Sequence, residues 1–185
     1  AGGGNGICAI FTDMTEDNQP DAEYSHEGYV SAVQSIDNNL VMSSSGDASC
    51  IKYDVNKQCK MMYYTYFNGD VYDLDIFHEK SIFITSSMNE CNLFDYRMRS
   101  KPILCIKEDF DVDCIKFFPD GHRFAYGLND DNSCIIKLLD MRSSRQMNEY
   151  IHTTASNVGS IDFSRSGYYL FAGYDEAPFC IAWNT

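Results

Sequence analysis

The sequence predicts an all-β propeller built from repeated four-stranded blades, and three observations carry that reading. A short phrase recurs, consisting of a Cys, a few apolar or alternating residues, then an aromatic or Leu before a polar residue. It reads Cys8-Ala9-Ile10-Phe11-Thr12, Cys50-Ile51-Lys52-Tyr53-Asp54, Cys91-Asn92-Leu93-Phe94-Asp95, Cys134 through Leu139-Asp140, and Cys180-Ile181-Ala182-Trp183-Asn184. The closing positions 12, 54, 95, 140 and 184 stand 42, 41, 45 and 44 residues apart. A period of about 40–45 residues is that of one propeller blade. Between the phrases, Asp, Asn and Gly clusters punctuate short β-rich runs, because these residues bond their own backbone or tolerate positive φ.

The elements follow from alternation and turn chemistry. Residues 1–24 close one blade, the opening Ala1-Gly2-Gly3-Gly4 reading as the end of a second strand. The first complete blade covers 29–66, with an inner strand from Tyr29 to Ile36 in which Val30, Ala32 and Val33 face inward. Asp37-Asn38-Asn39 then turns into Leu40–Ser45, and Gly46-Asp47-Ala48 into Ser49–Asp54. Lys60 to Tyr66 forms the outer strand, rich in aromatics. A second complete blade spans 70–107, with turns at Glu79-Lys80 and Met88-Asn89-Glu90. The third spans 111–151, turning at Pro119-Asp120-Gly121 and from Asn129 to Ser133. A partial blade, 158–184, turns at Ser166-Gly167 and from Asp175 to Pro178 and stops after its third strand. Three complete and two partial blades are expected to be an internal fragment, since a ring closes with four to eight blades.

Composition narrows the function. The 185 residues carry 14 basic against 27 acidic side chains, a net charge of −13. That balance opposes a phosphate backbone, which is bound largely by Lys and Arg displacing counterions. No nucleic-acid partner is expected, and acidic loops suit basic protein surfaces, chiefly by steering encounter. Five of the eight cysteines, Cys8, Cys50, Cys91, Cys134 and Cys180, hold the same place in successive repeats. Packing explains them without disulfides, and they are expected to be buried, reduced thiols. No CxxC or His-x-x-x-His spacing exists, so neither a metal nor another cofactor is expected. The absence of a sequon, a signal-type apolar segment and any apolar run near 18 residues reads as a cytoplasmic chain.

Within the first complete blade, His26, Ser45, Asp47 and Tyr53 invite comparison with a Ser-His-Asp triad. The spacing instead fits the structural network of a WD40 repeat: a His before the inner strand, a Ser on the second strand, an Asp in the following turn and an aromatic on the third strand. Such a network buries polar groups with their partners present and fixes blade geometry. Other blades keep less of it. Phe67 stands where the His would be in the second, and Glu108 in the third. The Gly2-Gly3-Gly4-Asn5-Gly6 stretch lacks the Gly-Lys-Ser/Thr and following helix of a phosphate-cradling loop. No Gly-x-Ser-x-Gly elbow or paired-carboxylate helix appears, and no catalytic residue is assigned.

Residues 26–55, Phe117-Phe118-Pro119-Asp120-Gly121 with Asp130-Asp131, and above all Phe163-Ser164-Arg165-Ser166-Gly167 leading to Leu170-Phe171-Ala172-Gly173-Tyr174-Asp175-Glu176 carry a family likeness. In order and across the whole chain, they resemble repeats of the heterotrimeric G-protein β subunit, a seven-bladed WD40 propeller. The resemblance implies a non-enzymatic scaffold in transmembrane-receptor signalling. It implies a lipidated γ subunit, a GDP-bound α subunit and effectors as partners, with the membrane reached only through them, at the cytoplasmic face of the plasma membrane. The matching α-facing positions are Tyr29, Asp70, Tyr72, Met88, Asp111 and Asp130. Here Gly4 and Gly6 stand where the family carries a Leu and an Asn, Glu27 replaces a Thr, Tyr72 a Met and Met88 a Cys. An adaptor or assembly scaffold with other protein partners is the alternative reading.

Overall fold

Antiparallel hairpins in chain order arrange the protein into five sheets, each the size of a blade or part of one. The structure is a computed structural model that describes residues 1–11, 19–98, 101–130, 133–153, 157–175 and 179–185. Blade I holds β1 (Ile7–Ile10) and β2 (Ala22–Ser25). Blade II holds β3 (Val30–Ser35), β4 (Leu40–Ser45), β5 (Ser49–Asp54) and β6 (Cys59–Tyr64). Blade III holds β7 (Val71–Phe77), β8 (Ile82–Ser87), β9 (Glu90–Asp95) and β10 (Leu104–Lys107). Blade IV holds β11 (Val112–Phe117), β12 (Arg123–Asp130), β13 (Ser133–Asp140) and β14 (Arg145–His152). Blade V holds β15 (Val158–Phe163), β16 (Tyr169–Tyr174) and β17 (Cys180–Asn184). This is the all-β, WD40-type array that the repeat predicts, and the described sheets form an open series rather than a closed ring.

The core lies between blades. Four apolar clusters occupy the four successive seams, I/II, II/III, III/IV and IV/V. Side-chain alternation explains the arrangement, since neighbouring residues of a strand face opposite sides of the sheet. Cys8, Cys50, Cys91 and Cys134 each pack into the seam with the following blade. An odd number of positions later, Tyr53, Phe94, Leu139 and Trp183 pack into the seam with the preceding one. None of the eight cysteines is joined in a disulfide. Cys180 departs from the expected burial: it is exposed, because β17 is the last described strand and no described blade covers the side it faces.

Turn chemistry sets the register. Asp37 accepts the amides of Asn39 at 2.7 Å and Leu40 at 2.9 Å, closing the first turn of blade II. Ala48 and Asn89 hold positive φ (59° and 52°) at equivalent turns of blades II and III. Between β7 and β8 a single 3-10 turn, His78–Lys80, ends at Ser81 with φ 58°. Gly121, at φ 62°, lies against the Phe77 ring of the preceding blade, so a Cβ there would be strained and would collide. β12 runs on to Asp130 and β13 starts at Ser133, so the strands pair through residues expected to belong to an Asn129–Ser133 turn. The β6 outer strand is Cys59–Tyr64, displaced toward the N-terminus of the expected run. Asp131, Glu176 and Pro178 lie outside the described residues.

Each inner strand carries the same irregularity after its first residue, with register shifts at Val30/Ala32, Val71/Asp73, Val112/Cys114 and Val158/Ser160. A bulge bends the strand and re-aims the side chains that follow it. Those side chains reach into the next blade. In the III/IV seam, Asp75 takes the Phe117 amide at 2.8 Å and the Lys116 ammonium at 3.0 Å, while Gln34 of blade II donates to it at 3.1 Å.

Phe94 is fully buried, stacked on Phe83 at 4.9 Å and edge-on to Tyr64 at 5.5 Å. Phe94→Ala is expected to cost about 3–5 kcal/mol through the cavity it leaves. Tyr63→Ala, at an exposed position of β6, is expected to cost under about 1 kcal/mol. Urea unfolding of both variants checks this, and equal losses would contradict a core placed between the blades.

Candidate functional site

The turns joining outer to inner strands and second to third strands gather at one rim. Tyr29, Asp70, Tyr72 and Asp111 lie there in cross-blade pairs. The Tyr29 hydroxyl donates to Asp70 at 3.0 Å across the II/III seam. One blade further, the Tyr72 hydroxyl donates to Asp111 at 3.3 Å across the III/IV seam. The Tyr29 ring lies over Gly46, where any side chain would collide with it. Burial, then the bond to and charge of Asp70, push the Tyr29 hydroxyl up to about 12. Burial and the Asp111 charge raise Tyr72 as well. Both phenols therefore stay protonated as donors near neutrality.

Met88 is exposed and its side chain lies against Gly69 beside Asp70. Asp130 ends β12, paired with Ser133, and its side chain is not among the described ones. Tyr29 and Phe110 add exposed aromatic surface to the rim. The resulting surface is apolar rings and a thioether set among carboxylates. It can present acceptors to basic groups and flat apolar area to a partner, a combination suited to protein recognition.

Behind the rim, blade II holds the expected His26–Asp47 contact, at 3.0 Å between Nδ1 and Oδ2. The serines differ from the expectation. Ser43 meets His26 Nε2 at 2.8 Å, and Ser49 donates to Asp47 at 2.5 Å and lies 3.2 Å from His26 Nδ1. Ser45 instead accepts the Asp47 amide at 3.1 Å. Tyr53 enters through its ring, stacked on Tyr24 at 4.3 Å, and it is the Tyr24 hydroxyl that bonds Ser43, at 2.8 Å. Burial lowers the basicity of His26 against the pull of Asp47, so the ring is neutral, with its proton on Nδ1 toward the carboxylate. Burial alone would raise Asp47, but bonds from Ser49, the Glu27 amide and His26 hold it below its ordinary value.

The order Ser43–His26–Asp47 has the connectivity of a nucleophilic triad. Ser43, however, is completely buried and its oxygen already accepts from Tyr24, which leaves no approach for a substrate carbonyl. The other blades hold different networks that sequence reasoning missed. In blade III, buried Glu90 takes Asn68 at 3.0 Å and Asn92 at 2.9 Å. In blade IV, Glu108 accepts Tyr126 at 2.6 Å and Lys137 at 2.7 Å. The signal available in the sequence was a carboxylate near each lost partner: Glu108 at the His position itself, and Glu90 beside Asn89 in the turn that holds Asp47 in blade II.

Among the described residues no group of three or more His, Cys, Asp or Glu side chains is arranged to hold a metal ion. None of their helices is long and apolar enough to cross a membrane. No protein-family model matches the chain. Curated proteins do. The guanine nucleotide-binding protein subunit beta of Arabidopsis thaliana is 34% identical over 203 residues, covering 100% of this chain and 53% of the relative. The protein of the same name from Zea mays is 32% identical over 209 residues, and subunit beta-1 from Nicotiana tabacum 30% over 207, with the same coverage. The chain is a WD40-repeat protein resembling the G-protein β subunit. It spans about half the length of these curated relatives.

The network gives a pH-dependent contribution with a defined sign. His26 is depressed from its ordinary 6.5, so what its neutral form contributes is complete above that pH and is lost as pH falls. Asp47, also depressed, adds stability present above its ordinary 3.8 and lost in more acid solution. Asp47→Ala is expected to cost about 1–3 kcal/mol at pH 7.5, since it strands the Glu27 amide and the buried imidazole. The stability gap between wild type and His26→Gln is expected to narrow between about pH 7.5 and about pH 5.5. Urea titrations at the two pH values measure it, and a constant gap would show that His26 carries no depressed titration.

Proposed function

We propose that the chain serves as a non-enzymatic G-protein β-type scaffold whose acidic, aromatic rim receives a GDP-bound α subunit and, after its departure, effectors. The observation that carries the reading is the pair of cross-blade contacts, Tyr29 to Asp70 and Tyr72 to Asp111. They line up carboxylates and rings from three successive blades on one edge. In this reading Tyr29 is a rigid amphipathic anchor, Tyr72 and Met88 supply apolar contact, and Asp70, Asp111 and Asp130 face basic groups of the α subunit. A lipidated γ subunit lies along the opposite edge and brings the assembly to the cytoplasmic face of the plasma membrane.

A second reading has one observation in its favour. On blade I, Gly4 meets open space and Gly6 holds φ 81°, so these two positions offer no side chains to an α subunit. A WD40 adaptor that uses only the blade II–IV part of the rim for another basic protein accounts for that bareness.

Reversing Asp70 and Asp111 to Lys together separates the readings. In the full-length protein this change is expected to weaken binding of a GDP-bound α subunit by about 1–3 kcal/mol, mostly through slower association at low salt. Association with γ is expected to be unchanged, and α binding to become less salt-sensitive. Unchanged affinity and salt dependence for α would reduce both residues to solvated turn charges and put the adaptor first.

A further inference from the structure

Strands that run antiparallel in chain order send alternate turns to opposite ends of each blade. The rim of Asp70, Asp109 and Asp111 is acidic, and the opposite rim is not. On blades III to V three of its carboxylates are each held by an arginine: Asp95 by Arg97 at 2.5 Å, Asp120 by Arg123 at 2.9 Å and Asp140 by Arg142 at 2.8 Å. Lys80, Lys101, Arg145 and Arg165 remain, with no ion pair among the described residues, against Glu79 alone. Lys80 donates to a neutral group, the Gly121 carbonyl, at 2.6 Å. A surplus of cations thus stands at one end of a chain whose net charge is −13.

The same rim holds the most exposed large apolar side chains among the described residues. Tyr168 is 73% exposed, Ile103 61%, Met98 58% and Met147 57%. Met98 and Ile103 lie between β9 and β10, Tyr168 lies between β15 and β16, and Met147 stands two residues past Arg145 at the start of β14. Single apolar side chains scattered over a surface need no explanation. Four at one rim, interleaved with unpaired cations, do. Their exposure does not come from the open end of the series. Blades III and IV have a described blade on either side. Tyr168 follows Gly167 as His122 follows Gly121, and His122 faces the preceding blade, where Lys80 lies 2.9 Å away.

We propose that this rim of blades III to V docks on the surface of an anionic phospholipid bilayer. Lys80, Lys101, Arg145 and Arg165 meet the lipid phosphates and carboxylates, and the four apolar side chains enter the headgroup layer, where amphipathic rings and apolar groups are favoured. The combination favours a bilayer over an acidic protein segment, which offers charge with no apolar layer behind it. The acidic rim does not oppose docking. A six-residue strand spans about 20 Å, and charges at physiological salt are screened beyond about 8 Å. The docked molecule turns its acidic rim away from the bilayer, toward soluble partners. The G-protein reading lays a lipidated γ subunit along this rim, but this contact is made by the chain's own side chains and goes beyond that reading.

Vesicle flotation of the full-length protein, free of lipidated partners, tests the surface. Binding is expected to vesicles with about 30% phosphatidylserine in phosphatidylcholine, and is expected to fall about tenfold on phosphatidylcholine alone. A similar fall is expected between about 0.15 M and about 0.5 M salt. Arg145→Glu and Arg165→Glu are each expected to weaken binding about fivefold. Ile103→Ser combined with Tyr168→Ser is expected to weaken it to a similar degree. Lys107→Glu makes the same charge change at the acidic rim and is expected to leave binding level. All five positions are exposed, so the fold tolerates the changes. No binding to the anionic vesicles, equal binding to phosphatidylcholine, unchanged binding in the arginine variants or in the apolar double variant, or an equal loss in Lys107→Glu would each overturn the proposal.

Discussion

A four-stranded blade with apolar side chains on both faces has no interior of its own, and everything else in this protein follows from that constraint. Strand alternation sends Cys50 one way and Tyr53 the other, so each third strand serves two seams at once. The recurring Cys-to-aromatic phrase is thus a device for alternate faces, and its odd spacing is what makes it work. Small thiols suit the forward side, where the next blade's inner strand packs, as Cys50 shares a cluster with Val71 and Cys91 with Val112. Stability in such a series is a sum over seams, and each seam depends on both of its blades.

Polar groups caught in these seams must be paired, because an unpaired buried donor or acceptor costs about 1–3 kcal/mol. The blades solve this separately. Blade II uses His26, Asp47 and two serines; blade III a buried Glu90 between two amide side chains; blade IV the Glu108 carboxylate between a phenol and an ammonium. Lys52 shows the same rule on a long side chain. It is buried, yet its ammonium reaches the Tyr96 carbonyl at 3.2 Å with the Tyr96 ring 5.4 Å away. Degeneration of the repeat motif therefore exchanged one satisfied network for another.

The architecture was legible because it rests on periods: spacing of the phrase, alternation within strands and turn residues between them. The site was legible only in part. Ser43 and Ser45 lie on the same face of β4, so alternation cannot choose between them, and the Ser-x-Asp pattern pointed to Ser45. Depth along the strand decides, and Ser43 is the one level with His26 Nε2. Tyr24 was invisible as a network member because it comes from the preceding blade, and a motif read within one repeat cannot find it. The same reason hid Asp73 and Asp75, whose partners Ile115 and Phe117 lie about forty residues further on. Exposure of Cys180 follows from its neighbourhood and not from its place in the repeat.

Rim and seams are mechanically one system. Tyr29 and Tyr72 are each rooted in one blade and bonded to a carboxylate at the start of the next, so every rim pair spans a seam. Those hydroxyls remain donors near neutrality, and each holds its aspartate in place without neutralising it. A partner meeting this surface finds charges already oriented, which lowers the ordering cost of association. The inner strands beneath, bulged at the same place in four blades, determine how far apart successive carboxylates stand. In β7 the bulged residue is Tyr72 itself, so bulge and rim meet in one side chain there.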